Sequence, residues 1–329
     1  MALPPGVWPT MITPFDDDKT TSIDYKCLDA LIEWYIKAGV SGLFAVCQSS
    51  EMYNLSDDEK VQLARHVKCR AAGRVPVVAC GLHTHAVLDQ RLFNCLGTFG
   101  GSVEEQAKFV IKISKEVDAV VVVVNQLAKE DEGDEIWKAN VEELLRLTED
   151  IPLGLYECPV PYKRYLTPEL LCWLASTGRF LFHKDTVSLA EPIIQKLAAL
   201  NKANVKNFSF YNANVATLKL SLEHGARGFS GISANFYPWM HTWLCKNWKS
   251  EPEKAKSVQQ FLAIAETTLM QNYPMSAKVY LHQLYGFPIK EVCRTGSYTF
   301  EDHKIQWLEH MKGLMESVCK DVGIDVIDP

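Results

Sequence analysis

No apolar run in these 329 residues approaches the roughly 20 that a membrane-spanning helix needs, and the longest, 119–124, is strand-sized. The N-terminal stretch MALPPGVWPTMITPF has neither a basic start nor an apolar signal core, so neither secretion nor a membrane location is expected. Basic blocks are missing too. With a net charge of −6 and no clustered positive footprint, nucleic-acid binding is not expected. The ten cysteines include no CxxC pair, and most sit among apolar neighbours, as in VVACG and LLCWL. That suits buried, reduced thiols in a cytoplasmic protein rather than a disulfide framework. The first apolar run is followed by TMITPFDDDKT and not by a glycine-rich phosphate turn, which argues against a dinucleotide-binding open sheet.

What is present is a repeating order. Apolar residues make up 47% and charged residues 22%, ordinary values for a soluble globular chain. Strand-like runs at 8–13, 42–46, 75–80, 118–124, 152–156, 180–183, 207–211 and 228–232 alternate with amphipathic stretches. Helices are predicted over 24–38 with Ser22 as cap, and from a capping box at Ser56-Asp57-Asp58-Glu59 to about residue 70. Others are predicted near 102–116, 136–148, 168–175, 189–200 and 215–223. Runs such as DAVVVVV are apolar on both faces, as a parallel sheet covered on both sides requires. Eight such units predict an α/β fold, a (β/α)8 TIM barrel, with a doubly wound open sheet as the main competitor. After residue 237 only helical patterns occur, so the expected division is a barrel over 1–249 and a C-terminal helical region over 250–329. Residues 82–97 read as an insertion in a strand–helix joint. Its His83 and His85 lack a third ligand nearby in sequence, so no metal site is expected.

In barrels of this kind the chemistry sits at the C-terminal strand ends. The second strand ends in Gln48, Ser49, Ser50 and Glu51, the fifth in Tyr156 and Glu157, and the sixth in His183, Lys184 and Asp185. The seventh ends in FYNAN, which contains Asn212 and Asn214, and the eighth in GFSGISAN, which contains Ser230. Tyr156 and Lys184 are one repeat apart, which predicts neighbouring strands at a spacing of about 4.8 Å. A lysine desolvated by barrel walls keeps some free amine, which attacks ketones to form an imine. A phenol beside it relays protons. Hydroxyls and N–H groups near Ser49 and Ser50 would hold a carboxylate. Glu51 reads as structural, bonding nearby backbone N–H groups.

These stretches resemble the dihydrodipicolinate synthase and N-acetylneuraminate lyase superfamily of class I, Schiff-base-forming aldolases. The resemblance spans roughly residues 6–320 and rests on TPF at 13–15, SSEMYNLSDDEK at 49–60, YECP at 156–159, HKD at 183–185 and GARGFSGISAN at 225–235. It implies that Lys184 forms the Schiff base with pyruvate or another 2-oxo acid and that Tyr156 shuttles the proton. Gln48, Ser49 and Ser50 would lie in the carboxylate-gripping loop, with Asn212 and Ser230 as further substrate contacts. No cofactor and no metal would be needed, and the assembly would be a homo-oligomer, tetramer or dimer. The departures are informative. The family loop's two glycines are Cys47 and Ser50 here, so a positive φ at Ser50 would carry strain. Pro161 stands where the synthases have a carboxylate-binding arginine, and VVNQLAKEDEGDE after strand four has no tyrosine. Both departures argue against the lysine-biosynthesis reaction. The expected activity is cleavage of a 2-oxo-3-deoxy sugar acid or related hydroxy-oxo acid to pyruvate and an aldehyde. The alternatives are a dehydratase or synthase of the same superfamily, and a non-catalytic binding descendant of the fold.

Overall fold

Eight short parallel strands surround the centre: β1 (Gly6–Val7), β2 (Leu43–Val46), β3 (Val77–Cys80), β4 (Ala119–Val123), β5 (Leu153–Tyr156), β6 (Phe180–Asp185), β7 (Ser209–Asn212) and β8 (Gly228–Phe229). In this computed structural model, residues 2–83, 101–296, 298 and 300–329 are described. Ladder pairing runs β1-β8-β7-β6-β5-β4-β3-β2, with every pair parallel. The ring closes just beyond β1, where the Phe44 N–H donates to the Pro9 carbonyl and the Met11 N–H to the Phe44 carbonyl, both at 3.1 Å. This is the (β/α)8 barrel that the alternating pattern predicts, and it excludes the open sheet.

Eight helices follow the strands in turn: α1 (Tyr25–Lys37), α2 (Asp57–Ala71), α3 (Val103–Ile113), α4 (Asp134–Leu147), α5 (Pro168–Ser176), α6 (Ala190–Lys202), α7 (Leu218–Glu223) and α8 (Pro238–Asn247). Three more close the chain: α9 (Pro252–Leu269), α10 (Met275–Tyr285) and α11 (Asp302–Val322). Helix α9 packs on α8 and α11 and reaches the turns at the mouth of the barrel. The capping box at Ser56 forms as expected, with Ser56 Oγ accepting from the Glu59 N–H and Glu59 Oε2 accepting from the Ser56 N–H.

Two local expectations are corrected. The cap of α1 is Asp24, whose carboxylate accepts the Cys27 N–H at 2.9 Å, while Ser22 is bound to Asp18. The first strand is 6–7 rather than 8–13, because after the Trp8 N–H bonds the Phe229 carbonyl the chain leaves β8 and turns to close on β2. Of the expected insertion, residues 84–97 lie outside the described residues, and with them His85 and Cys95.

The barrel's interior is aromatic. Trp8, Phe44, Phe182 and Tyr211 pack with ring centroids 4.8–5.6 Å apart. Gly42 makes room for this layer, since a Cβ there would lie 2.3 Å from the Trp8 ring. Above it, at the C-terminal strand ends, the interior becomes polar.

Candidate active site

Strand periodicity divides the ends of β5 and β6 into two faces. Tyr156 and Lys184 are register partners and both point into the mouth of the barrel. The residues after them, Glu157 and Asp185, face outward and converge on Lys196 of α6. The Lys196 Nζ lies 2.6 Å from Glu157 Oε1 and 2.6 Å from Asp185 Oδ2. Burial opposes its charge, but the two carboxylates outweigh burial and hold Lys196 above the ordinary lysine value. Glu157 also accepts the Leu166 and Thr186 N–H groups, and Asp185 accepts that of Val187. This outer cluster locks the two strand ends, and the lock sets the inward pair.

Four lysines are buried among the described residues: Lys60, Lys184, Lys196 and Lys278. Three have an acid. Lys60 reaches Asp57 at 3.2 Å, Lys196 reaches its two carboxylates, and Lys278 reaches Glu51 Oε1 at 2.9 Å. Lys184 has no ion pair among the described residues. Its Nζ lies 4.3 Å from the centroid of the Tyr156 ring and 5.9 Å from that of Phe44. Burial lowers its pKa, opposed by the nearby thiols of Cys47, Cys158 and Cys80 and by Glu266. Burial likewise pushes the Tyr156 phenol far up, so it rests neutral. The Tyr156 hydroxyl donates to Gln48 Oε1 at 3.3 Å.

A cavity of about 490 Å³ opens above this pair. Gln48 and Ser49 line it together with Tyr156 and Lys184, and the Ser49 hydroxyl donates to Thr10 Oγ1 at 3.1 Å. The other expected substrate contacts lie elsewhere. Ser50 is turned back on its own loop, where its Oγ donates to the Cys47 carbonyl and accepts the Cys47 N–H, both at 2.7 Å. Asn212 is used up on Thr217, Ser221 and the Asn214 N–H, and Asn214 takes the place on the cavity wall. Ser230 is buried off the cavity, and its Oγ has no partner among the described residues.

The expected positive φ at Ser50 falls one residue later. Glu51 has φ 62° and ψ 38°, a left-handed conformation that costs a residue with a Cβ about 1–2 kcal/mol. Its carboxylate compensates for this. Oε1 takes Lys278, and Oε2 accepts the N–H groups of Arg294 and Thr295 at 2.6 and 2.8 Å. Glu51 thus bonds backbone N–H groups as expected, but far along the chain. The link fixes the 292–295 segment over the barrel.

That segment belongs to a wall that sequence reasoning missed. Glu266 and Met270 at the end of α9, then Tyr273, Pro274, Thr295 and Tyr298, line the cavity opposite the strands. Glu266 carried one sequence signal, as the lone charge in FLAIAETTLM. Burial pushes its carboxyl up to about 7, against the Ser233 hydroxyl and the Lys184 cation. Arg164, near the position of the missing arginine, is bound to Asp134 and to the carbonyls of Lys129 and Glu132 and does not line the cavity.

Among the described residues, one cluster has the donor types for a metal: Glu157, His183 and Asp185. The Lys196 ammonium already bridges its two carboxylates. Among the described residues no disulfide forms, and no helix is long and apolar enough to cross a membrane.

A barrel with a buried lysine and a tyrosine at its mouth is the framework of a class I aldolase. The chain belongs to the dihydrodipicolinate synthetase family, which it matches over residues 4–82 and 112–311. It is 24% identical to the 4-hydroxy-tetrahydrodipicolinate synthase of Polynucleobacter asymbioticus over 284 residues, 85% of each chain. To the enzyme of the same name from Laribacter hongkongensis it is 28% identical over 240 residues, 72% of each. Among solved structures it resembles a prophage protein of the dihydrodipicolinic acid synthase family from E. coli K12, in complex with pyruvate. That likeness has a TM-score of 0.78 at 22% identity and covers 96% of this chain and 99% of that one.

Proposed function

We propose that the protein is a Schiff-base-forming lyase that cleaves a 2-oxo-3-deoxy sugar acid, or a related hydroxy-oxo acid, to pyruvate and an aldehyde. The observation that carries this reading is the buried Lys184, without an ion pair among the described residues, against the Tyr156 ring. Its amine adds to the C2 ketone and water leaves, giving a protonated imine. That new cation lies beside Tyr156 and favours loss of the phenol proton to solvent water, which replaces the proton used in forming the imine and leaves a phenolate. Tyr156 then takes the C4 hydroxyl proton as the C3–C4 bond breaks. The bonding electrons pass into the imine as an enamine, and the aldehyde departs. Protonation at C3 and hydrolysis release pyruvate and restore the amine. The substrate carboxylate is assigned to the side of Ser49, next to Gln48 and Thr10.

A second reading, a synthase that condenses pyruvate with an amino-acid semialdehyde, is favoured by the names of the curated relatives. Pro161 and the engagement of Arg164 stand against it, since among the described residues lining the cavity the second carboxylate then has no guanidinium to meet. Both readings place a cytoplasmic homo-oligomer around a barrel of 1–249 and a helical region of 250–329. Offering the protein a panel of 2-oxo-3-deoxy aldonic acids and measuring pyruvate with lactate dehydrogenase separates them. Pyruvate release supports the lyase. Release from none, together with condensation of pyruvate and aspartate semialdehyde, supports the synthase.

A further inference from the structure

The wall facing Lys184 carries an acid, Glu266, and no basic side chain among the described residues. Glu266 borders the same cavity as Lys184 and Tyr156, and its Oε2 is buried with no hydrogen-bond partner among the described residues. A buried acceptor without a donor is costly unless a ligand supplies one. The groups that face it are Lys184 from β6, Ser233 from the turn after β8, Tyr237 at the start of α8, and Tyr273 before α10. Among the described residues lining the cavity, Lys184 is the one cation, and imine formation engages it. The rest of the described lining is neutral, with hydroxyls and amides such as those of Thr186, Ser188 and Asn214 beside apolar side chains such as Ile232 and Met270.

Resting on the lyase reading, we propose that Glu266 selects the aldehyde half of the substrate. It accepts a hydrogen bond from a hydroxyl on that half and repels an aldehyde that carries its own carboxylate. A neutral polyol fragment satisfies the open acceptor. An acidic fragment meets a like charge with no free counter-ion among the described lining residues.

The test is run in the condensation direction. Pyruvate is supplied with either glyceraldehyde or succinic semialdehyde at about pH 8.5, where Glu266, pushed up to about 7, is ionised, and kcat/KM is measured for each with the wild type, Glu266→Gln and Glu266→Asp. The wild type is expected to prefer glyceraldehyde. Removing the charge in Glu266→Gln should shrink the ratio of the two by roughly tenfold, through KM, because a charged acceptor and a like-charge repulsion are lost together. Glu266→Asp, which keeps the charge, should retain the direction of preference. A wild type that prefers the acid or uses neither aldehyde overturns the proposal. So does a ratio that moves by less than threefold in Glu266→Gln. A merely structural role lowers both reactions together and leaves the ratio in place, so a partly unfolded preparation does not mimic the result. Borohydride trapping of pyruvate on the wild type separates the two failures. Without an adduct the Schiff-base reading falls, whereas an adduct with an unmoved ratio removes only the role of Glu266.

Discussion

Replacing Lys196 with methionine would remove the cation from a site that buries two acids. Lys196, Glu157 and Asp185 have side-chain exposures of 3%, 1% and 0%. Carboxylate oxygens of Glu157 and Asp185 lie within 4.8 Å of each other, where two unit charges repel by about 3 kcal/mol at an effective dielectric of about 20. Breaking a buried ion pair from one side costs about 3–5 kcal/mol, which agrees. The loss should depend on pH in one direction. Burial and Asp185 raise Glu157 above its ordinary value, and Lys196 opposes them. Without the lysine the folded pKa rises further above the unfolded one. An acid raised on folding does not penalise the fold below its unfolded value, and its full cost is felt once the pH passes the folded value. Urea unfolding of the wild type and Lys196→Met should therefore show a deficit of about 3–5 kcal/mol near pH 8 that shrinks toward pH 5. Equal stabilities near pH 8, or a deficit that grows on acidification, would refute the argument that this lysine neutralises the strand ends.

Other outcomes follow from the same structure. Tyr156→Phe keeps the ring against Lys184 but loses the hydroxyl, so pyruvate trapping should persist while cleavage falls by roughly 10²–10⁴-fold. Loss of trapping would show that the hydroxyl is needed to form the imine itself and not only to move the proton in cleavage. Because burial lowers the pKa of Lys184, the rate of imine formation with pyruvate should level off well below about pH 10, where an ordinary lysine is still titrating. A rate still climbing there contradicts a dry amine. Gly42→Ala places a Cβ 2.3 Å from the Trp8 ring and should cost about 1–3 kcal/mol, read as a lower melting temperature. An unchanged melting temperature would mean that the aromatic layer has slack.

The barrel was legible because its signals are local. Alternating apolar runs marked seven strands within a few residues of their observed ends, and the Ser56 box fixed the start of α2. The first strand was misplaced because its limits are set by two partners, β8 and β2, that lie far along the chain. The neighbouring positions of Tyr156 and Lys184 followed from a spacing of one repeat. What sets Lys184 apart from Lys60, Lys196 and Lys278 did not, since Glu157 reaches Lys196 from 39 residues away and Glu51 reaches Lys278 from 227. Ser50 and Asn212 looked like ligands because a polar residue at a strand tip has two directions open to it, and here both turn into local bonds. The wall of Glu266, Tyr273 and Thr295 could not be placed, although Glu266 stood out as a lone charge, because the end of α9 and the connections after α9 and α10, more than 80 residues beyond Lys184, build it.

The most direct measurement is to incubate the protein with pyruvate and sodium borohydride, digest it and map the modified peptide by mass. A single reduced adduct per chain, on Lys184, is the predicted result. No adduct with any 2-oxo acid, or an adduct on a different lysine while Lys184 stays free, would contradict the account.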